Sequence, residues 1–562
     1  MAAQRALECR DILAEIFETL SAIYDEDIFT GAEGPWRSDL ASAACVCRAF
    51  SEPALAVLWR SLDDVEPVFR VLPSFIRQES GLAYEWLITE EVTPDQWARM
   101  QWYASRVREL HGLDAFKSMH SSVWAFLDGV RGNRPLLPNL RVLNAVVSIE
   151  DPSVLMRILS PSLHEVKIAF AFTESLSSGE VTGVDASAVG SVIQVVPSRV
   201  PHLRDLCVRG CLQSLSSSYL TSLHRFQQLR TLDMLWSSIA FDSKALNIVS
   251  QMSSLTVLEV EISLQTTSDS TEELLLAGDF SSLTQIHIGG SLADLVRFFA
   301  ATCLKNLREL SLTLPSAPSE QAIHDSFVRI TAEVSPSLTN VNLYFTSRHI
   351  SPSPSFSASR IFRSLLRFSQ LTEFNVEFDC AQYPPIFDDD DAAAFAAAWP
   401  ELSYFRFWPS SLRLCRPTIS GLVEFARHCP LLEDIHLPSL DVASLPPLSS
   451  IPALARHSMR RLYIEPLVGA SQTNLLELAV ILDRLFPNLQ APRSATVSQF
   501  HRAGEHLVPD PQHEPWRLTE ILLGALQLRR KHLASDPPDD DIESNVGDSL
   551  HNEMGEEWEV SA

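Results

Sequence analysis

One arrangement of apolar and polar positions dominates the chain: Leu-x-x-Φ-x-Φ, where Φ is apolar. It runs through Leu163-Val166-Ile168, Leu203-Leu206-Val208, Leu229-Leu232-Met234, Leu255-Leu258-Val260, Leu283-Ile286-Ile288 and Leu307-Leu310-Leu312. It continues through Leu338-Val341-Leu343, Leu371-Phe374-Val376, Leu402-Phe405-Phe407 and Leu432-Ile435-Leu437, with weaker forms at Leu140-Leu143 and Met459-Leu462-Ile464. The last two apolar positions alternate with polar ones, which predicts a short strand with one buried face. Between the units, Leu295-Phe298-Phe299, Leu422-Phe425-Ala426 and Leu482-Leu485-Phe486 have helical spacing. Pro138, Pro161, Pro201, Pro336, Pro400, Pro430 and Pro487 precede the next unit. A proline pushes the residue before it out of the helical region, so each separates helix from strand.

The leading leucines lie 24 to 33 residues apart from Leu203 to Leu432, after one step of 40 from Leu163. Leucine-rich repeats run about 20–29 residues, so the spacing predicts an α/β solenoid of that kind, with helices alternating with short parallel strands. No single unit hides its own apolar face; stacked units share one core. The Asn or Cys that usually follows such a strand is matched clearly only at Cys211, and the solenoid is therefore expected to be irregular.

Residues 1–62 follow a different period. Ile12, Leu13, Ile16, Phe17 and Leu20 make one stripe of a helix beginning near Asp11, and Leu40, Ala43, Ala44 and Cys47 make a second, with Phe50 at its exit. Leu55, Leu58, Trp59 and Leu62 make a third, which Pro53 is placed to start. A unit this small has too little interior for all these side chains, so some of its apolar surface is expected to face a partner protein. Residues 63–135, with Trp86, Trp97, Trp102 and Trp124, are expected to be a helical linker packing that unit onto repeats spanning 136–490. Residues 491–535 are expected to cap the solenoid with a helix striped by Leu518, Ile521, Leu522, Ala525 and Leu528. Residues 536–562 are expected to form an acidic, disordered tail.

Charge narrows the choice of partner. The formal net charge is −26, and the segment from Asp536 to Ala562 holds ten carboxylates with no Lys or Arg. Phosphate backbones require clustered Lys and Arg; no such cluster stands out along the sequence, so nucleic acid is not an expected partner. Nine cysteines are scattered, mostly in apolar stretches such as those of Cys207, Cys303 and Cys429, where a free thiol behaves as a small buried hydrophobe. That usage fits a reducing compartment. Met1 to Arg10 carries no apolar signal core, and no run reaches the roughly 18 apolar residues of a membrane helix, so the cytoplasm or nucleus is expected and a membrane is not.

The stretch from Leu7 to Leu62 resembles the F-box of a large fungal class of F-box proteins. The likeness is carried by Asp11-Ile12-Leu13-Ala14-Glu15-Ile16-Phe17, Ala44-Cys45-Val46-Cys47-Arg48-Ala49-Phe50 and Ser51-Glu52-Pro53-Ala54-Leu55-Ala56-Val57-Leu58-Trp59-Arg60-Ser61-Leu62, followed by Leu72-Pro73-Ser74-Phe75. It departs at Leu7-Glu8-Cys9-Arg10, where Leu-Pro is usual, and by an insert from Ser21 to Ser38. The resemblance implies a three-helix F-box docking on a Skp-type adaptor and through it a cullin, while the repeats hold an unidentified substrate protein for ubiquitin transfer. Carried over by position, the adaptor contacts are Ile12, Leu13, Ile16, Phe17, Leu20, Cys47, Phe50, Leu58 and Trp59. The chain would then be a non-catalytic receptor without cofactor or metal. The alternative is a leucine-rich-repeat interaction scaffold whose F-box does not act in a ligase.

Other chemistry is poorly served by the sequence. Cys45-Val46-Cys47 is too closely spaced for a usual zinc pair and has no second pair. Asp388-Asp389-Asp390-Asp391 lacks the glycine turn and distal Glu of a calcium loop, and is better read as a helix N-terminal charge cluster. His164, His287 and His436 sit beside strand core positions, on the polar face that lines the concave surface of solenoids.

Overall fold

A computed structural model of the chain describes residues 9–25, 36–80, 83–113, 119–131, 134–148, 153–171, 186–210, 216–237, 239–264, 274–315, 320–346, 357–378, 385–409, 416–437, 439–454, 456–464, 466–490 and 514–535. The tail expected at 536–562, Cys211 and most of the insert after Ser21 lie outside these residues.

Strand pairing is set by one file of apolar side chains. Leu62, Leu110, Leu143, Val166, Leu206, Leu232 and Leu258 are each register partners of the next. The file goes on through Ile286, Leu310, Val341, Phe374, Phe405, Ile435 and Leu462. All are buried. A one-residue slip would turn this whole file to solvent, so burial fixes the register. The result is a 15-stranded parallel sheet in which 14 strands pair in chain order and Ala240–Phe241 pairs off that run, beside Val257–Ile262. Helices cover one face and the other is left open: a leucine-rich-repeat-like solenoid of mixed α/β class.

Every Leu-x-x-Φ unit of the sequence falls on this sheet, and two strands are added at its start. Ser61–Leu62 and Glu109–Leu110 pair with each other, and the latter continues to Val142–Ser148. Trp59-x-x-Leu62 and Val107-x-x-Leu110 share the spacing, but Asp64 and Gly112 stand where the final apolar residue belongs. The segment 63–135 is accordingly not a purely helical linker. Besides Pro94–Ala104 and Ser121–Arg131 it contains an antiparallel hairpin, Phe75–Ser80 with Ala83–Ile88, in which Phe75 stacks on Trp86 at 4.8 Å. Of the four tryptophans, Trp102 stays exposed beneath the Arg106 guanidinium, 3.3 Å from the ring centre.

Helix ends follow local chemistry. Leu292–Ala300 turns Leu295, Phe298 and Phe299 inward, and its cap Ser291 accepts from Asp294 N. The run Asp388 to Asp391 opens Asp389–Ala398 and serves three repeats at once. Asp388 caps its own helix. Asp389 accepts from Thr418 N (2.8 Å), Thr418 Oγ1 (2.7 Å) and Gly421 N (3.0 Å) at the start of Ile419–His428. Asp391, wholly buried, accepts from Ser359 N (2.8 Å) and the Ser357 hydroxyl at the start of Ala358–Ile361. Removing a buried acceptor orphans its donors at about 1–3 kcal/mol. Asp391→Ala is therefore expected to lower the unfolding free energy by about 2 kcal/mol or more, measured by urea denaturation; a change below about 0.5 kcal/mol would show the bonds to be idle.

The last helix, Glu514–Ser535, forms where expected but is rotated. Trp516, Thr519 and Leu523 face inward, while Leu518, Ile521 and Leu528 face solvent. Its polar side closes the solenoid: Gln527 donates to the Leu489 carbonyl at 2.7 Å, and Arg530 bonds Pro487 O and pairs with Asp483 at 2.9 Å. Cys429 is buried as expected of a small hydrophobe, Cys207 only half so, and Cys303 is exposed.

Candidate partner-docking surfaces

The N-terminal unit consists of α1 (Arg10–Asp25), α2 (Trp36–Val46) and α3 (Arg48–Leu58). Its third helix begins five residues before Pro53. Cys47 is extended (φ −161°, ψ 168°) and separates α2 from α3, so Pro53 sits inside the helix without an N–H for the carbonyl one turn back. The unit has a core of its own, made of Leu13, Phe17, Leu40, Ala54 and Val57 and separate from the solenoid core.

This packing divides the residues assigned to the adaptor. Along α1, Leu13 and Phe17 point inward; Ile12, Ile16 and Leu20, spaced four apart on the adjoining stripe, remain 44%, 42% and 37% exposed. Phe50 lies edge-on to Phe17 at 5.8 Å, and Leu58 is half-buried against the same core. Cys47 is exposed. Trp59 faces the other way, onto the solenoid, with its ring 4.6 Å from Tyr103. Leu13, Phe17 and Trp59 are thus placed to hold the unit together and seat it, while Ile12, Ile16, Leu20 and Cys47 offer surface. Val46, 68% exposed at the α2–α3 junction, is a further apolar site that spacing did not single out. Arg37–Asp63 (2.6 Å), Arg106–Glu52 (2.6 Å) and Arg60–Glu18 (3.2 Å) tie the three helices to the first repeat.

The open face of the sheet is the second surface. Lys167, Cys207, Asp233, Glu259, His287, Ser311, Asn342, Asn375, Arg406, His436 and Tyr463 stand in one row across it. Cations here have carboxylate partners: Lys167–Glu165 (2.6 Å), Arg209–Asp233 (2.6 Å), Arg406–Glu377 (3.8 Å) and Arg461–Asp434 (2.9 Å). Burial, then the neighbouring Asp233, raises the Glu259 carboxyl above its ordinary value; burial, then Glu373, does the same to Glu309. Burial and the hydrogen bond to Asp233 push the Cys207 thiol up to about 12, which keeps it protonated and unreactive. Among the described residues no group of three or more His, Cys, Asp or Glu is placed to hold a metal. What this face offers is charge, amide groups and aromatic rings for binding.

His287 and His436 lie on the face, stacked with Tyr344 (5.6 Å) and Tyr463 (4.2 Å); His164 instead stands on the lip, ahead of its strand. Burial pulls the His287 imidazole down to about 4. Between about 6.5 and 4 the unfolded chain takes up a proton that the folded chain refuses, so this residue's contribution to stability falls as pH drops through that window. From pH 7.5 to 5 the loss is about 2 kcal/mol. His287→Gln is expected to remove that increment, checked by comparing urea midpoints of both proteins at the two pH values; parallel losses would contradict it.

No family model matches the chain, and no curated protein matches it. Among solved structures, 68% of the chain is similar to 55% of a TDR receptor, at 13% identity and TM-score 0.27. The leucine-rich repeat-containing protein LegL7 from Legionella pneumophila is similar over 49% of this chain and 84% of its own, at 12% identity and TM-score 0.27. The complex of Rad7 and Elc1 in yeast contains a chain similar over 62% of this one and 89% of its own, at 12% identity and TM-score 0.29.

Proposed function

We propose that this chain is the substrate receptor of a Skp–cullin–F-box type ubiquitin ligase, acting in the cytoplasm or nucleus. The carrying observation is the N-terminal unit, which completes its own small core and still leaves Ile12, Ile16 and Leu20 as an apolar stripe on a helix. Such a stripe gains about 1 kcal/mol per side chain when a partner covers it, and fixes where the adaptor sits. The ion pairs and the Trp59–Tyr103 contact then hold the solenoid in a set position relative to that adaptor. The chain itself performs no chemistry. It acts by raising the effective concentration of a bound protein near the ubiquitin carrier.

The test is co-expression of the full chain with a Skp-type adaptor, followed by size-exclusion chromatography. A stoichiometric complex is expected, and adding the cullin and RING subunits should produce ubiquitin transfer to a captured protein. Adaptor that elutes separately at micromolar concentration would leave a repeat scaffold serving outside a ligase.

A further inference from the structure

The residue after the leading apolar position of each repeat forms a ladder along the lip of the sheet. Its N–H donates to the carbonyl of the equivalent residue one repeat earlier: Arg108 to Arg60 (2.8 Å), Arg141 to Arg108 (2.7 Å), His164 to Arg141 (2.8 Å), Arg204 to His164 (2.8 Å) and Arg230 to Arg204 (2.7 Å). Adjacent strands lie about 4.8 Å apart, so five arginines and a histidine stand in single file over about 24 Å. In later repeats the same rung is held in turn by Thr256, Thr284, Arg308, Thr339, Thr372, Ser403, Glu433 and Arg460, and the Thr and Ser hydroxyls donate to the preceding rung's carbonyl at 3.0–3.2 Å.

The charge on this ladder is not balanced within the fold. Arg60 pairs with Glu18 and approaches Glu109. Among the described residues, no ion pair forms at Arg108, Arg141, Arg204 or Arg230, whereas Arg209, Arg406 and Arg461 on the open face all have carboxylate partners. Arg141, Arg204 and Arg230 are exposed. Burial, then repulsion from Arg141 and Arg60, lowers the Arg108 guanidinium below its ordinary value. Like charges in a row this close repel one another unless an anion lies over them.

We infer that this arginine ladder docks an extended acidic segment of a partner protein, about seven residues long at about 3.4 Å per residue, with its anionic groups contributed by Asp, Glu or phosphorylated side chains. The strip is one residue wide. On its sheet side, the next position in the repeats holds Glu109, Glu165 and Asp205, which would repel the broad backbone of a nucleic acid. Sites for single-stranded nucleic acid also pair basic grooves with aromatic platforms, and the rungs here carry only Arg and His. A net charge of −26 adds further repulsion to any long polyanion. This inference rests on the receptor role only in making the segment part of a recruited protein; its affinity is measured without adaptor, so the two can fail separately.

The test uses the full chain and labelled nonapeptides alternating Asp with Ser, or phosphoserine with Gly, followed by fluorescence anisotropy at low salt. Arg141→Thr, Arg204→Thr and Arg230→Thr together give each rung the residue that later repeats already carry, so folding is preserved and circular dichroism can verify it. Binding of at least one peptide by the native chain, weakened at least tenfold in this triple variant, is expected. Arg329→Gln, Arg363→Gln and Arg427→Gln together change the net charge equally and should shift affinity less than twofold. Equal loss in both variants, or no binding of either peptide, would overturn the inference. So would tighter, ladder-dependent binding of a single-stranded oligonucleotide. Deleting residues 536–562 should leave peptide affinity within twofold; a tenfold gain would assign the ladder to the chain's own acidic end instead.

Discussion

Ile12→Asp together with Ile16→Asp is expected to reduce affinity for a Skp-type adaptor by at least a hundredfold, with the rest of the chain folded as before. Both side chains stand on the outward stripe of α1, 44% and 42% exposed, so in the uncomplexed protein the carboxylates would remain in water and Leu13 and Phe17 would keep the unit's core. In the complex each would be carried into an apolar contact, where an unpaired charge costs several kcal/mol; about 2.7 kcal/mol already gives a hundredfold. Phe17→Ala behaves differently. It opens the small core, costs about 3–5 kcal/mol, and weakens capture only by unfolding the unit. Isothermal titration with purified adaptor, alongside circular dichroism, separates the two effects. Unchanged affinity in the double Asp variant would remove α1 from the interface.

The distinction between these residues was beyond what spacing alone reveals. Ile12, Leu13, Ile16, Phe17 and Leu20 lie within one apolar arc, and only the positions of Leu40, Ala54 and Val57 decide which part of the arc is covered. The repeats were far more legible, because burying one sheet face requires apolar side chains at fixed intervals, and the strands from Glu165–Ala171 to Arg461–Ile464 obey it. Legibility failed at Ser61–Leu62 and Glu109–Leu110, where two-residue strands leave no alternation to detect. It failed again for the arginine ladder. Arg60, Arg108, Arg141, His164, Arg204 and Arg230 are 23 to 48 residues from each next member. No local window contains two of the rungs, and parallel pairing alone brings them together.

Trp399→Ala is expected to cost about 3–5 kcal/mol in the C-terminal half of the solenoid while leaving adaptor capture intact. Trp399 is fully buried, stacked on Phe395 at 4.9 Å and tilted against Phe374 at 4.6 Å. Its indole N–H donates to the Leu365 carbonyl one repeat back (3.4 Å), and its own carbonyl accepts from the Cys429 thiol one repeat on (3.4 Å). Truncation therefore leaves a cavity where three repeats meet, while the Leu365 carbonyl keeps the Phe368 N–H. Solenoid stability is a sum over neighbours, so the damage should remain near its source. Hydrogen exchange is expected to quicken in Glu373–Phe378, Tyr404–Pro409 and Asp434–Leu437, with little change in Glu165–Ala171. Protection lost evenly along the sheet would mean that the repeats open as one cooperative body, and then no substitution in them could be isolated from the docking of α1.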